Sequence, residues 1–302
     1  MTEMRALVTG ASGFLGYHLV RYFEEKEISV LGLWRTTEPV FEKAHTRQVD
    51  LTDTDQVQRT LLDWSPTHII HCAALSSTAE CEANPQKAFQ ANFSATQILV
   101  ETAKLCMRQL PHFIFISTDL VFDGNKGYYS ETDLPAPIMV YGKTKRAAEE
   151  LVEMSYEGDW CIVRSALIYG VPAGTGKGGF LLWLLKDIAR SSCTLFEDEF
   201  RSPVYMGELC WLIGKILSLG KTGIWHAGGR ERLSRYEIGL AVARAFSLPV
   251  ENVQRGSLKN AVLAAPRPAD VSLNISKACQ ELGYAPRKFT ENLELLRSHM
   301  TP

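Results

Sequence analysis

The sequence has no Cys-x-x-Cys pair and no His, Cys and Asp constellation at metal-ligand spacing, so no metal site is expected. Its seven cysteines are scattered from Cys72 to Cys279. An odd, dispersed set argues against a disulfide framework and fits buried thiols in a reducing compartment. No run of 18 or more apolar residues is present, which excludes a transmembrane helix and a membrane partner of that kind. The start, Met1-Thr2-Glu3-Met4-Arg5, lacks the layout of a signal peptide, and the expected address is the cytoplasm. Long like-charge runs are missing too. The 32 Lys and Arg balance 34 Asp and Glu, for a net charge of −2. A nucleic-acid binder would carry a basic patch or stripe, so no nucleic-acid partner is expected.

What is present is ordinary globular composition: 302 residues, 46% hydrophobic and 22% charged. Short apolar runs at 6–9, 28–34, 67–71, 112–117 and 160–164 alternate with helical patterns at 14–25, 57–64, 85–107 and 140–154. Alternation of this kind implies an α/β fold, a doubly wound parallel sheet of the Rossmann type with helices on both faces. After about residue 170 the alternation weakens. A loop with four glycines spans 171–179, a helix spans 180–190, and Ser234 with Glu237 forms a capping-box pattern for a helix to Phe246. The expected organisation is a dinucleotide-binding domain at 1–170, with a returning segment at about 207–227. A smaller C-terminal α/β substrate-binding lobe takes 171–206 and 228–302.

Between the first strand and the first helix lies Thr9-Gly10-Ala11-Ser12-Gly13-Phe14-Leu15-Gly16. Glycines there let the backbone approach a pyrophosphate, and the free helix N–H groups face the anion. The spacing G-x-x-G-x-x-G is one residue longer than the common dinucleotide fingerprint, but the strand before it and the helix after it supply the required context. An acidic residue at the end of the second strand would favour NAD(H). This chain has Leu33-Trp34-Arg35-Thr36, and Arg35 can bind a 2′-phosphate with its fork of donors. NADP(H) is the preferred expectation, with NAD(H) as the alternative.

Tyr141 and Lys145 stand four residues apart on a helical pattern and share a face. A nearby ammonium would lower the phenol pKa and suit it to acid–base work. The fourth strand ends in Ser117-Thr118-Asp119, and Thr118 can hydrogen-bond a substrate carbonyl. The competing reading makes Thr118 a turn hydroxyl bonding its own backbone.

Together these segments resemble the extended short-chain dehydrogenase/reductase family, along nearly the whole chain. The glycine loop looks like TGxxGFLG, and Tyr141 with Lys145 matches YxxxK. The resemblance implies that Asp50 and Leu51 contact adenine. It also implies that Cys72, Ala73 and Ala74 line the cofactor, and that Lys145 holds the nicotinamide ribose. Ser117 to Gly124 is similar to the STDYVFDG segment of dTDP-4-dehydrorhamnose reductases. That likeness gives Thr118, Tyr141 and Lys145 the catalytic places, puts Asp119 and Leu120 at the substrate, and implies a homodimer. Arg201 and Arg267 lie in segments that resemble diphosphate-binding stretches of nucleotide-sugar enzymes. The structural alternative for such arginines is an ion pair, for instance Arg267 with Asp270.

The chain departs from the reductase pattern on the sugar side. Leu120 replaces a tyrosine, Ala79 falls where an aspartate is common, and Asp198 to Val204 differs from DQxGxPT. The leading expectation is an NADPH-dependent reductase of a nucleotide-linked 4-keto sugar, with Tyr141 as proton donor. The alternatives are a nucleotide-sugar epimerase or a regulatory subunit that keeps the fold, similar to that of methionine adenosyltransferase.

Overall fold

Side chains alternate along the first strand and so define the two faces of the sheet. In β1 (Arg5–Thr9), Ala6 and Val8 enter one core with Ile70 and Ile114, while Leu7 enters the opposite core with Ile69 and Phe113. A strand buried on both faces reads as one apolar run, and β5 (His112–Thr118) is buried at all seven positions. Each large apolar side chain so placed contributes about 1.5–3 kcal/mol relative to exposure.

The computed structural model describes residues 4–176, 178–262 and 265–300. Residues 1–3 of the N-terminal reading and residue 177 of the glycine-rich loop lie outside the described residues. The remaining strands of the main sheet are β2 (Ser29–Trp34), β3 (His45–Gln48), β4 (His68–His71), β6 (Trp160–Ser165) and Gly223–Ala227. All pair in parallel, in the order Gly223–Ala227, β6, β5, β4, β1, β2, β3. This is the doubly wound Rossmann-type sheet expected from the alternation. The chain runs outward from β1 through β2 to β3, then crosses to β4 on the other side. Open sheets of this kind bind ligands at such a reversal, beyond the carboxyl ends of the strands.

Two elements differ from expectation. The edge strand β3 has the sequence His-Thr-Arg-Gln and half-exposed side chains, so no apolar run announces it. The helix expected over 85–107 is three pieces: Pro85–Phe89, a π-helical turn Gln90–Ser94, and Ala95–Cys106. The π turn turns Asn92 into the core, fully buried. Its carboxamide oxygen accepts the Leu75 N–H at 2.7 Å, and its nitrogen donates to Thr144 Oγ1 at 2.9 Å. One side chain thereby ties the loop after β4 to the helix Val140–Ser155.

The first helix, α1 (Phe14–Glu25), buries Leu15, Leu19, Val20 and Phe23 against the sheet. The helix Met206–Ser218 leads into the edge strand Gly223–Ala227. A third cluster, around Tyr169, Leu184, Ile238, Val242 and Leu293, forms a core away from the sheet. Within it, Ser234 and Glu237 make both bonds of the capping box at the start of helix Arg235–Ala245. Among the described residues no helix is long and apolar enough to cross a membrane.

Candidate active site

The carboxyl ends of β1, β2, β4 and β5 open into a cleft of about 1050 Å3. Every residue assigned above to a cofactor, a substrate or catalysis lines it, from Gly10 at one end to Arg267 at the other.

The glycine loop forms the first wall. Gly10 has φ +69°, and a Cβ there would sit 2.9 Å from the Ala73 backbone. A Cβ on Gly16 would lie 2.2 Å from the Gly10 carbonyl oxygen. The loop can therefore fold tightly onto α1 and the segment after β4 only with glycines. Gly13 caps α1 without a side-chain bond, and the first turn carries no acidic residue. The free N–H groups of that turn thus have no competing side-chain acceptor, and the wall between Ser12, Phe14 and Leu15 fits a pyrophosphate.

Beside it, Arg35 is exposed at the end of β2. Hydrogen bonds from the Thr52 N–H and hydroxyl hold the Asp50 carboxyl below its ordinary value, and the Arg35 charge adds to this. Leu51 follows, buried. After β4, the Thr9 hydroxyl accepts the N–H groups of Cys72 and Ala73, both at 3.1 Å. His71 Nδ1 lies 2.7 Å from that hydroxyl, and Nε2 lies 3.0 Å from Thr96 Oγ1. Burial and then the Lys145 charge bring His71 down to about 3, so the imidazole is a neutral structural link. Burial pushes the Cys72 thiol up to about 12, and it lines the cleft as an inert wall.

The second wall carries Thr118, Tyr141 and Lys145. Thr118 ends β5, and its hydroxyl donates to Asp119 Oδ1 at 3.1 Å while accepting the Leu120 N–H at 3.2 Å. The turn role and the cleft role thus fall on the same hydroxyl. Tyr141 lies in the first turn of the helix Val140–Ser155, whose Val140 N–H donates to the Glu82 carboxylate at 2.7 Å. Lys145, one turn on, is 2% exposed, and its Nζ lies 3.9 Å from the centroid of the Phe115 ring.

The electrostatics of this pair correct the simple reading of YxxxK. Burial pushes the Tyr141 phenol well above its ordinary value, the Asp119 and Cys81 charges push the same way, and only a Thr118 hydrogen bond opposes them. Lys145 does not make the phenol acidic here. Burial brings Lys145 itself down to about 7, against the attraction of Glu149. At Lys145 desolvation outweighs the attraction of Glu149, and at Tyr141 it acts in the same direction as the Asp119 charge, because the helix start is packed onto the sheet.

The far end is built around Glu199, which is fully buried. Arg201, Arg235 and Arg267 approach its carboxylate at 2.9, 3.4 and 3.1 Å. Arg201 also donates to the Phe200 and Pro268 carbonyls at 2.6 and 3.3 Å. Arg267 is the more open, with 38% of its side chain exposed. The ion-pair alternative for Arg201 and Arg267 is formed, with Glu199 as the partner rather than Asp270, which pairs with Arg232 at 2.7 Å.

Glu199, Arg235 and Asn92 were not legible as site residues. Arg235 carries one overlooked signal. It occupies the first position of a helix, where the macrodipole disfavours a cation, so something else must hold it there.

The family described as RmlD substrate binding domain matches residues 4–301. The probable low-salt glycan biosynthesis reductase Agl14 of Haloferax volcanii is 31% identical over 299 residues, which is 98% of each chain. The methionine adenosyltransferase 2 subunit beta of Pongo abelii is 31% identical over 290 residues, 94% of this chain and 84% of its own. The crystal structure of dTDP-4-dehydrorhamnose reductase from Bacillus anthracis in complex with NADP has a TM-score of 0.84 at 25% identity. That match covers 99% of this chain and 100% of the other. A match along almost the full length, joined to the sheet order and the cleft, means that this chain belongs to the RmlD substrate binding domain family.

Proposed function

We propose that this chain is an NADPH-dependent reductase of a nucleotide-linked 4-keto sugar. One observation carries the reading: Thr118, Tyr141 and Lys145 line the same cleft as the uncapped glycine cradle. Gly10, Ser12, Gly13, Phe14, Leu15 and Gly16 would hold the pyrophosphate, Asp50 and Leu51 the adenine, and Cys72, Ala73, Ala74 and Lys145 the nicotinamide side. When bound, the reduced dinucleotide supplies hydride to a carbonyl carbon, here C4 of the sugar.

The chain's own residues then manage the oxygen. A proton donor has to be protonated at working pH, and burial beside Asp119 keeps Tyr141 so. As the carbonyl oxygen gains charge, it becomes the stronger acceptor of the phenolic proton, and the single hydroxyl proton of Thr118 can turn from Asp119 to the same atom. Lys145, near 7, gains or loses its proton close to neutrality and can balance the charge left on Tyr141. At the other end, Arg267 offers the more open guanidinium to a diphosphate, while Arg201 holds the wall that frames it. The separate core around Leu184 and Ile238 supports treating 171–206 and 228–302 as a substrate lobe, with 207–227 returning to the sheet.

The test is net oxidation of NADPH in the presence of nucleotide-linked 4-keto sugars. Tightly retained NAD without net consumption would favour an epimerase. A second reading, a regulatory subunit that keeps the fold, is favoured by the 31% identity to methionine adenosyltransferase 2 subunit beta. Silence toward the whole panel, together with a stable complex with a protein partner, would support that reading instead.

Arg35 decides the cofactor preference in this account. Replacing Arg35 with Leu should raise the KM for NADPH about 10- to 100-fold, the worth of roughly 1.5–3 kcal/mol for hydrogen bonds to a charged group. The KM for NADH should change little. Equal changes for both cofactors would remove Arg35 from the 2′-phosphate site.

A further inference from the structure

The helix that carries Tyr141 starts without a cap of its own. Met139 stands at the N-cap position and makes no side-chain bond to the first turn, and that turn holds no acidic residue. The first N–H groups of a helix have no partner within it. Here the Val140 N–H is met from a distant segment: it donates to Glu82 Oε1 at 2.7 Å. A carboxylate suits that place, because the N-terminal end of a helix carries partial positive charge. Tyr141 is the second residue of the helix, so it lies within the turn that this bond secures.

Glu82 is itself firmly mounted. It belongs to the short helix Thr78–Ala83, whose cap Ser77 accepts the Glu80 N–H at 3.3 Å. Glu80 pairs with Lys87 at 2.6 Å. Cys81 is fully buried, and its thiol donates to the Leu75 carbonyl at 3.2 Å. Asn92 holds both the N–H and the carbonyl of Leu75, at 2.7 and 3.2 Å. Gly142, in the same turn as Tyr141, abuts the segment after β5: a Cβ there would lie 2.1 Å from the Leu120 carbonyl oxygen. The turn is thus fixed by a carboxylate from the segment after β4 and by a close approach to the segment after β5.

We propose that Glu82 is a positioning residue, whose carboxylate fixes the first turn of the helix Val140–Ser155 and so holds the Tyr141 hydroxyl at the reacting carbonyl oxygen. This deepens the proposed reduction and rests on it for the task of Tyr141. Glu82 is not among the residues that line the cleft, so it acts through the helix, while Thr78 and Ala79 beside it do line the cleft. The bond secures the turn of Tyr141. Lys145 lies one turn on, where Thr144 is tied separately by Asn92 at 2.9 Å. Loss of the bond should therefore affect proton transfer more than cofactor binding.

The test is NADPH oxidation with a dTDP-linked 4-keto-6-deoxyhexose. Glu82→Ala should lower kcat by about 10- to 100-fold, the scale of a misplacement of about 1 Å. The Kd for NADPH should stay within a few-fold, which also reports a folded protein. Glu82→Gln keeps an acceptor of the same reach and should restore kcat to within a few-fold of the wild type. If Glu82→Ala does not fold, Glu82→Asp withdraws the acceptor by one methylene and should lose kcat in the same way. Added to Tyr141→Phe, Glu82→Ala should lower kcat little further, because a hydroxyl already absent cannot be misplaced. Equal losses in both backgrounds would make Glu82 merely structural and overturn the inference. So would Glu82→Gln as slow as Glu82→Ala, which would assign the effect to charge rather than alignment. Hydrogen exchange of the segment 139–145 in the NADPH complex separates the two levels, with faster exchange expected in Glu82→Ala and not in Glu82→Gln. Wild-type turnover that Glu82→Ala leaves intact keeps the reductase and removes the positioning role. No turnover by the wild type removes the reductase; faster exchange in Glu82→Ala then keeps the hold on the Tyr141 turn, and unchanged exchange removes it as well.

Discussion

Tyr141→Phe should lower kcat for keto-sugar reduction by about 10²- to 10⁴-fold, the range expected for loss of a positioned general acid. Cofactor affinity should stay within a few-fold, since the ring remains in the wall of the cleft. The direction follows from the site rather than from the motif alone. The phenol stays protonated at working pH, and burial with the Asp119 charge makes it a weaker acid than a free tyrosine. Its proton therefore moves only as the oxyanion, the stronger base, develops. Steady-state kinetics of NADPH oxidation would check it. Retention of more than about a tenth of wild-type kcat would assign the proton to another donor.

Glu149→Ala should destabilise the fold by about 3–5 kcal/mol, the usual cost of breaking a buried ion pair by removing one partner. Glu149 is fully buried and grips Arg164, itself 1% exposed, with two bonds of 3.0 and 2.8 Å. Arg146 reaches the same carboxylate at 3.0 Å. Without Glu149, the Arg164 charge is left inside the protein beneath the helix that carries Tyr141 and Lys145. The penalty is mostly stranded charge, so the double replacement Glu149→Leu with Arg164→Met should recover much of the loss. Urea unfolding of the three proteins would show this. A double variant as unstable as Glu149→Ala would place the cost in packing instead. The double variant also bears on function, since Glu149 is the group whose attraction opposes desolvation at Lys145.

The parts of this molecule legible in its sequence are those set by neighbours along the chain. The glycine loop is local: a tight turn and a helix start within eight residues, so both could be read together. The capping box at Ser234 is local in the same way, and both of its bonds are formed. The β5 run was legible because burial on both faces leaves no polar interruption. By contrast, β3 is a polar edge strand held by pairing to β2, with Leu31 opposite His45, and pairing across 14 residues leaves no periodic mark. The π turn at Gln90–Ser94 exists to seat Asn92 between two distant segments, which a helical pattern cannot show.

The site shows the same division. Spacing placed Tyr141 and Lys145 together but could not show the burial that raises the phenol, because desolvation depends on everything packed around the helix. The Glu199 cluster joins residues 199, 201, 235 and 267, and no window of sequence contains it. The departures at Leu120 and in the segment 198–204 marked the sugar side as unusual. The structure now shows a buried carboxylate and three arginines behind that mark.

The most direct test of the account uses NADPH carrying deuterium at the transferable C4 position of the nicotinamide. With a dTDP-linked 4-keto-6-deoxyhexose, the account predicts one deuterium at C4 of the product sugar for each NADP+ formed. Oxidation of the cofactor without label in the sugar, or no oxidation across keto-sugar nucleotides that bind the cleft, would contradict it.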